Sequence, residues 1–162
     1  MDQIALTLAL SNSRTLAYAI YGSTSLMALI TLYFHGTPSS RPKAAILSSS
    51  AIALNVRIIE VNCPSIGLSP FQATRKILNW PLDITELANY LNLRTFSILA
   101  YSSGSVYAFV FAKTIPSSRL LNVEIMAGVY PLKWDGLALI RPLQHLMTSG
   151  LTKLAGSSIN SQ

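Results

Sequence analysis

The sequence has 162 residues, 51% of them hydrophobic, which is enough for one domain with a single apolar core. Only 11% of the residues are charged, and the net charge of +6 comes from bases scattered along the chain with no cluster beyond Arg75-Lys76. A nucleic-acid surface concentrates its bases on one face, so this pattern argues against nucleic-acid binding. The single cysteine, Cys63, excludes an internal disulfide framework and a cysteine-rich metal site.

The low share of charged residues has two explanations, which the sequence leaves open. Strands buried on both faces would lower it, and so would an incomplete protein whose surface is meant to be covered by further segments. The amino-terminal stretch MDQIALTLAL carries an acid where a signal peptide has a base. No apolar run approaches the ~18 residues of a membrane span. We therefore expect a cytoplasmic protein without a membrane span.

The chain begins with a predicted hairpin that leads into a central strand. Segments typical of β-structure at 4–10 and 15–21 flank the turn composition Ser-Asn-Ser-Arg. The continuous apolar run at 28–34 suits a strand buried on both faces. It ends at His35-Gly36-Thr37-Pro38, a turn in which Gly36 allows a backbone path closed to other residues.

A helix, a strand and a loop are predicted next. The helix runs from Pro42 to Leu54, the strand covers 56–61, and residues 62–70 form a loop because they are rich in Pro, Gly and Ser. The inner side of the helix is predicted to consist of Ile46, Ser49, Ser50, Ala53 and Leu54.

A second helix is predicted from about Trp80 to Leu91. Asn79 is placed to cap it, and Pro81 lies near its first turn, where proline is tolerated. Its apolar side has the spacing i, i+3, i+4, i+7 of an amphipathic helix. That side consists of Ile84, Leu87, Ala88 and Leu91.

A serine flanked by small residues follows the apolar run at 96–100, in the sequence Ala100-Tyr101-Ser102-Ser103-Gly104. A second apolar run then continues with helical spacing to about Ile115. A buried strand that turns at once into a buried helix, with a serine at the turn, is the geometry of a nucleophile elbow. Ala100 and Gly104 take the two places where tight strand–helix contact demands small side chains. A serine in this setting is also commonly a helix cap or a loop residue, so the pattern alone leaves both interpretations open.

The last predicted strand covers 123–126 and ends before Gly128. Strands and helices that alternate with short connections predict an α/β fold, a mostly parallel sheet of about six strands with helices on both faces. In such sheets the working groups gather outside the carboxyl ends of the strands. Both the His35-Gly36-Thr37 turn and Ser102 fall at such ends.

Five segments, in matching order and spacing, resemble the α/β-hydrolase superfamily, specifically serine hydrolases of the AB hydrolase-1 type. They are LYFHGTPSSR (32–41), NCPSIGLS (62–69), NWPLDITELANYLNL (79–93), ILAYSSGSVYAFVFA (98–112) and IMAGVYPL (125–132). The resemblance implies that residues 1–132 form the N-terminal part of the hydrolase core. It also implies that 133–162 form the start of a lid helix and a polar tail, as in a C-terminally truncated member.

By that resemblance Ser102 is the candidate nucleophile in acyl transfer from a small apolar ester or amide. The oxyanion hole would consist of the backbone N–H groups of Ser103 and Thr37, supported by His35 and Gly36. No cofactor and no metal ion are expected, because the sequence has no cluster of metal ligands and no phosphate-binding glycine loop.

Two departures from the family pattern concern the elbow and the loop at 62–70. Ala100 replaces the first glycine of the elbow, a substitution that the geometry tolerates. Asn62 and Ser65 stand where the resemblance leads us to expect aspartate and glycine, which weakens a turn and a charge contact.

A third departure concerns the acid and the base of the catalytic triad, which follow later strands in this fold. By the resemblance, the acid and the base that should follow later strands are missing from this sequence. His145 and Asp135 are the remaining candidates for base and acid, besides His35, but the resemblance favours a lid histidine, a loop aspartate and a structural histidine at these three places. A non-catalytic, truncated or degenerate hydrolase-like protein, a binding module at most, is therefore the alternative to an enzyme. A peripheral membrane protein is a third possibility, which the scattered bases disfavour.

Overall fold

The computed structural model describes residues 2–39, 41–63, 65–71, 73 and 76–129. The strands are β1 (Gln3–Ala9), β2 (Thr15–Gly22), β3 (Leu29–Phe34), β4 (Val56–Val61), β5 (Phe96–Tyr101) and β6 (Leu120–Met126). The helices are α1 (Ser48–Ala53), α2 (Trp80–Tyr90) and α3 (Ser105–Thr114), and short 3-10 segments precede them at Arg41–Leu47, Ile77–Asn79 and Ser102–Gly104. The predictions for 133–162, Asp135 and His145 lie outside the described residues.

The described strands form one sheet with the order β1-β2-β4-β3-β5-β6. The β1–β2 hairpin is antiparallel, β2 is antiparallel to β4, and the remaining neighbours pair in parallel. The predicted α/β class and the mostly parallel sheet are therefore confirmed. Since β3 and β5 are parallel neighbours, with Phe34 paired to Ala100, their carboxyl ends lie side by side.

Helices cover both faces of this sheet, as predicted. Side chains alternate between the faces along each strand, and they form two separate apolar clusters. The larger cluster joins Leu32, Phe34, Ile59, Phe96 and Ile98 to Trp80, Ile84 and Leu87 of α2 and to Tyr107, Ala108 and Phe111 of α3. The smaller joins Ala19, Tyr21, Tyr33 and Ile58 to Ala44 and Ala51. No described helix has both the length and the apolar character that crossing a bilayer would require.

The helix predicted at 42–54 is correct in place but wrong in its buried side. The buried residues are Ala44, Ser48 and Ala51, whereas Ile46 and Leu54 are 73% and 72% exposed. The first half, Arg41–Leu47, is a 3-10 segment with about three residues per turn, and only Ser48–Ala53 is α-helical. A single 3.6-residue phase therefore cannot describe the segment. The rest of the predicted inner side, Ser49, Ser50 and Ala53, is exposed as well.

Helix α2 begins at Trp80 as predicted, but Asn79 does not cap it. Asn79 has helical angles (φ −86°, ψ −13°) and makes no side-chain capping bond, because the preceding 3-10 segment leads directly into the helix. A capping side chain requires a residue with extended backbone at this place. Pro81 lies in the first turn, and Ile84 and Leu87 are fully buried, as their spacing predicted.

Polar contacts hold the β1–β2 hairpin against α2. Arg14, in the turn of the hairpin, forms an ion pair with Asp83. Glu86, one helical turn further on, accepts hydrogen bonds from the backbone N–H of Ser11 at 2.6 Å and from its hydroxyl at 3.0 Å. The hairpin is thus fixed to the same helix that packs beneath the sheet.

Candidate active site

Ser102 lies where β5 passes directly into the turn that begins α3. Tyr101 still has extended backbone angles (φ −114°, ψ 132°), whereas Ser102 has a φ of 51°. The left-handed region costs an L-residue roughly 1–2 kcal/mol, so the fold holds this serine in a strained conformation. Ser102 is half-buried, and it is the junction between a buried strand and a buried helix.

Positive φ alone does not distinguish Ser102. Among the described non-glycine residues it is shared by Ser13, Asn55, Ser65, Asn92 and Ala127. These five lie in turns or just after strand and helix ends, and none of them joins a strand directly to a helix of the sheet's core. The strain at Ser102 therefore belongs to the sharp strand-to-helix turn, which is the setting expected of a nucleophile elbow.

Two glycines allow the elbow to contact the end of β3. A Cβ atom on Gly104 would lie 2.2 Å from the carbonyl oxygen of Phe34, and one on Gly36 would lie 2.9 Å from the Cβ of Ser102. Neither approach is open to a larger residue, because the obstacles are backbone or the elbow itself. Ala100, in the place of the first elbow glycine, is fully buried and fits the pairing with Phe34.

Thr37 and Ser103, the two residues predicted to form the oxyanion hole, contact each other. The Ser103 hydroxyl lies 3.1 Å from Oγ1 of Thr37, within hydrogen-bonding distance. Thr37 follows the carboxyl end of β3 and Ser103 follows that of β5, so the bond joins the two turns. Ser103 also stands at the start of a helical turn, where backbone N–H groups have no partner within the helix.

His35, which precedes Gly36 and Thr37, is buried and bonds to the backbone of this turn. The ring is 2% exposed, and its Nδ1 lies 2.9 Å from the carbonyl oxygen of Gly36, which can only accept. Nδ1 therefore carries the proton, and burial lowers the pKa of His35, although the bond to Gly36 opposes that shift. Its Nε2 has no hydrogen-bond partner among the described residues. The lowered pKa favours the neutral ring, and no hydrogen bond joins this ring to Ser102.

Ser105, which the sequence pattern did not single out, ties the elbow to the segment after β6. Its hydroxyl oxygen is 2.7 Å from the carbonyl oxygen of Ser102 and 2.9 Å from both the backbone nitrogen and the carbonyl oxygen of Val129. The Val129 N–H donates to the hydroxyl, which donates its own proton to one of the two carbonyls. The signal available in the sequence was a serine at the start of the apolar run SVYAFVFA, and the structure shows that this serine is fully buried.

The loop after β4 is held to β2 through Asn62 and Ser69. Asn62 is fully buried, and its backbone N–H donates to the carbonyl of Ala17 at 2.9 Å. The Ser69 hydroxyl accepts from the N–H of Ala17 at 3.1 Å and lies 3.5 Å from the carbonyl of Asn62. Ser65, in the place of the family's glycine, has a φ of 71°. A glycine would adopt that angle without strain.

The structure brings Ser102 and the His35-Gly36-Thr37 turn together, but it places no base beside Ser102 in the part of the chain it describes. His35 is hydrogen-bonded through Nδ1 to the carbonyl of Gly36 and makes no bond to Ser102. His145 and Asp135 lie outside the described residues. Within the described residues no three His, Cys, Asp or Glu side chains are grouped as metal ligands.

Comparison with known proteins identifies the fold. No protein-family model matches the sequence, and no curated protein gives a significant match. Among solved structures, a hydrolase from Pseudomonas aeruginosa PA01 has a TM-score of 0.67 at 18% identity, with 94% of this chain and 58% of that chain covered. The epoxide hydrolase CorEH has a TM-score of 0.69 at 16% identity, with 84% and 46% covered. A thermophilic esterase from Thermogutta terrifontis has a TM-score of 0.63 at 19% identity, with 82% and 48% covered.

These likenesses show the fold and its extent. The chain spans about half the length of the solved structures that it matches, namely 58%, 46% and 48% for the three above. Its architecture is that of the N-terminal portion of the α/β-hydrolases, as the sequence predicted.

Proposed function

We propose that this chain, whose fold is that of the N-terminal portion of the α/β-hydrolases, carries the nucleophile and the oxyanion hole of a serine hydrolase. The bond cleaved is a carboxylic ester or amide, and the substrate is small and apolar. The observation that carries the proposal is Ser102, held at a φ of 51° between β5 and α3. Thr37 and Ser103, bonded to each other at 3.1 Å, stand beside it.

In the proposed reaction, Oγ of Ser102 attacks the carbonyl carbon of the substrate while a base takes its proton. The carbonyl π electrons move to oxygen, and the backbone N–H groups of Ser103 and Thr37 stabilise the resulting oxyanion. Collapse of the intermediate breaks the bond to the leaving alcohol or amine, which receives the proton from the base. Water then attacks the acyl-enzyme through the same steps and releases the acid.

The residue type at the elbow favours this chemistry among those named for the neighbours. CorEH is an epoxide hydrolase, whereas the Thermogutta protein is an esterase. The family resemblance associates aspartate at the elbow with epoxide cleavage and serine with acyl transfer. This chain has Ser102 at that place.

Asp135 and His145 are the proposed acid and base within this sequence. They follow Ser102 in the order nucleophile, acid, histidine that this fold uses. The order supports the assignment, and His145→Gln tests it directly.

A non-catalytic hydrolase-like binding protein is the second candidate. The burial of His35 favours it, because this histidine, the one within the described residues, is 2% exposed and makes no hydrogen bond to Ser102. A serine without a positioned base is a weak nucleophile.

Hydrolysis of p-nitrophenyl acetate, butyrate and octanoate by the full chain separates the two candidates. For an enzyme we expect Ser102→Ala to lower kcat/KM by about 10³-fold or more, and His145→Gln to lower it comparably. Ser50→Ala, which alters an exposed serine of α1, is the matched control and keeps the wild-type rate. No turnover by folded wild-type protein, or equal turnover by Ser102→Ala, contradicts the hydrolase and favours the binding protein.

A further inference from the structure

A groove with two arginines lies at the amino ends of β5 and β6, whereas Ser102 lies at the carboxyl end of β5. The groove has a volume of 640 Å³ and is lined by Asn89, Asn92, Leu93, Arg94 and Arg119. Arg94 precedes β5 and Arg119 immediately precedes β6. Because these strands are parallel neighbours, their amino ends bring the two residues to one place.

The two guanidinium groups are not neutralised by any carboxylate of the described residues. The described acids are all engaged elsewhere. Asp2 accepts from Ser48, Glu60 from the N–H of Ala44, Asp83 pairs with Arg14, Glu86 accepts from Ser11, and Glu124 from Asn122. The groove therefore holds two uncompensated positive charges in the described part of the chain.

Capping of the last carbonyl groups of α2 does not explain why the two arginines lie here. Basic side chains near a helix C-terminus commonly bind its last carbonyls. Here backbone amides already do so, since Leu91, Asn92 and Leu93 donate to the carbonyls of residues 87, 89 and 88 at 2.9, 3.0 and 2.8 Å. The helix end thus has little need of a side-chain donor.

The two arginines differ in how firmly they are held. Arg119 donates from Nη2 to the carbonyl of Leu93 at 3.0 Å, and its guanidinium lies 5.9 Å from the ring centre of Phe96. Its plane is therefore fixed while its other N–H groups remain available. Arg94 makes no hydrogen bond or ion pair with any described residue and is exposed.

We propose that this groove binds a tetrahedral oxyanion, either free phosphate or the phosphoryl group of a larger ligand. Guanidinium groups bind phosphate oxygens through paired N–H donors, and one pre-positioned arginine lowers the entropy cost of binding. Arg119 supplies the fixed donors, Arg94 closes on the ligand from the adjacent loop, and the amides of Asn89 and Asn92 add neutral donors. The C-terminal end of α2 carries a partial negative charge of about half a unit, which repels an anion. The two unit positive charges of Arg94 and Arg119 outweigh this repulsion.

The test is a titration of the full ¹⁵N-labelled chain with inorganic phosphate, followed by NMR and compared with chloride at equal ionic strength. We expect saturable shifts of the backbone amides of residues 92–94 and 119. Arg94→Gln should weaken the affinity about fivefold to tenfold, and Arg94→Lys should fall in between because it keeps the charge without the paired donors. Lys43→Gln, an exposed residue on the other side of the sheet, removes the same charge and should leave the affinity unchanged.

A parallel titration with glycerol phosphate distinguishes the two sources of the group. Tighter binding than inorganic phosphate identifies a larger phosphorylated ligand, and equal or weaker binding identifies free phosphate. Circular dichroism confirms that each variant is folded. Shifts that do not saturate, that chloride reproduces, or that persist unchanged in Arg94→Gln overturn the proposal.

Discussion

At the scale of single residues, the site depends on how closely Gly104 approaches β3. A methyl group at this position would lie 2.2 Å from the carbonyl oxygen of Phe34, an atom of a central strand that cannot yield. We therefore expect Gly104→Ala to lower the free energy of unfolding by about 2–3 kcal/mol. Urea denaturation followed by circular dichroism measures this.

Ala112→Gly is the control for Gly104→Ala, because it makes the reverse exchange within α3. It should cost only the helix-propensity difference of about 1 kcal/mol. A loss in Gly104→Ala no greater than in the control would show that the elbow and the end of β3 are not packed as described.

The buried ring of His35 makes stability depend on pH. Burial lowers its pKa below the ordinary value of 6.5, so the native state keeps the ring neutral where the unfolded chain takes up a proton. The unfolded state then binds more protons, and the free energy of unfolding falls as the pH drops below about 6.5.

His35→Asn should lose this component of the pH dependence. Urea unfolding at about pH 7.5 and about pH 5.5 compares the two proteins, and all other titrating groups are common to both. We expect wild type to lose more stability than the variant between these conditions. An equal loss in both would contradict the neutral, buried ring.

At the scale of elements, the loop between β4 and α2 carries removable strain. Ser65 has a φ of 71° and an exposed side chain. Ser65→Gly should raise the free energy of unfolding by about 1 kcal/mol, because glycine adopts this angle without the steric cost. Thermal and urea unfolding measure the change.

Ser118→Gly serves as the comparison for the Ser65 variant. Ser118 lies in an exposed turn and does not have positive φ, so glycine there only increases the freedom of the unfolded chain and lowers stability slightly. A Ser65→Gly protein that is destabilised as much as Ser118→Gly would contradict the strain.

Strands and helices whose buried side follows from the spacing of apolar residues could be predicted from the sequence. The predictions failed where the helix type changes within a segment and where a contact joins distant parts of the chain. The apolar runs placed β4 at 56–61 and the spacing of Ile84 and Leu87 gave the buried side of α2. The buried side of 42–54 was wrong because a 3-10 segment changes the helical phase. The Ser105 bonds to Val129 could not be predicted, because they join α3 to the segment after β6, which only the folded chain brings together.

At the scale of the whole molecule, the site is a product of the strand order. His35-Gly36-Thr37 follows β3 and Ser102 follows β5, yet β4 lies between these strands in the sequence. The sheet places β4 on the far side of β3, so that β3 and β5 are neighbours and their turns meet. The sequence placed both turns at carboxyl ends, but only the order of the sheet brings Thr37 within 3.1 Å of Ser103.

Intact-mass detection of a fluorophosphonate adduct on the full chain, with the modified peptide located by fragmentation, tests directly whether Ser102 is an activated nucleophile. We expect one adduct per chain on Ser102, absent from Ser102→Ala and retained in Ser103→Ala, which keeps its backbone N–H. Absence of an adduct on folded wild-type protein, or an adduct that survives in Ser102→Ala, would contradict an activated serine at the elbow.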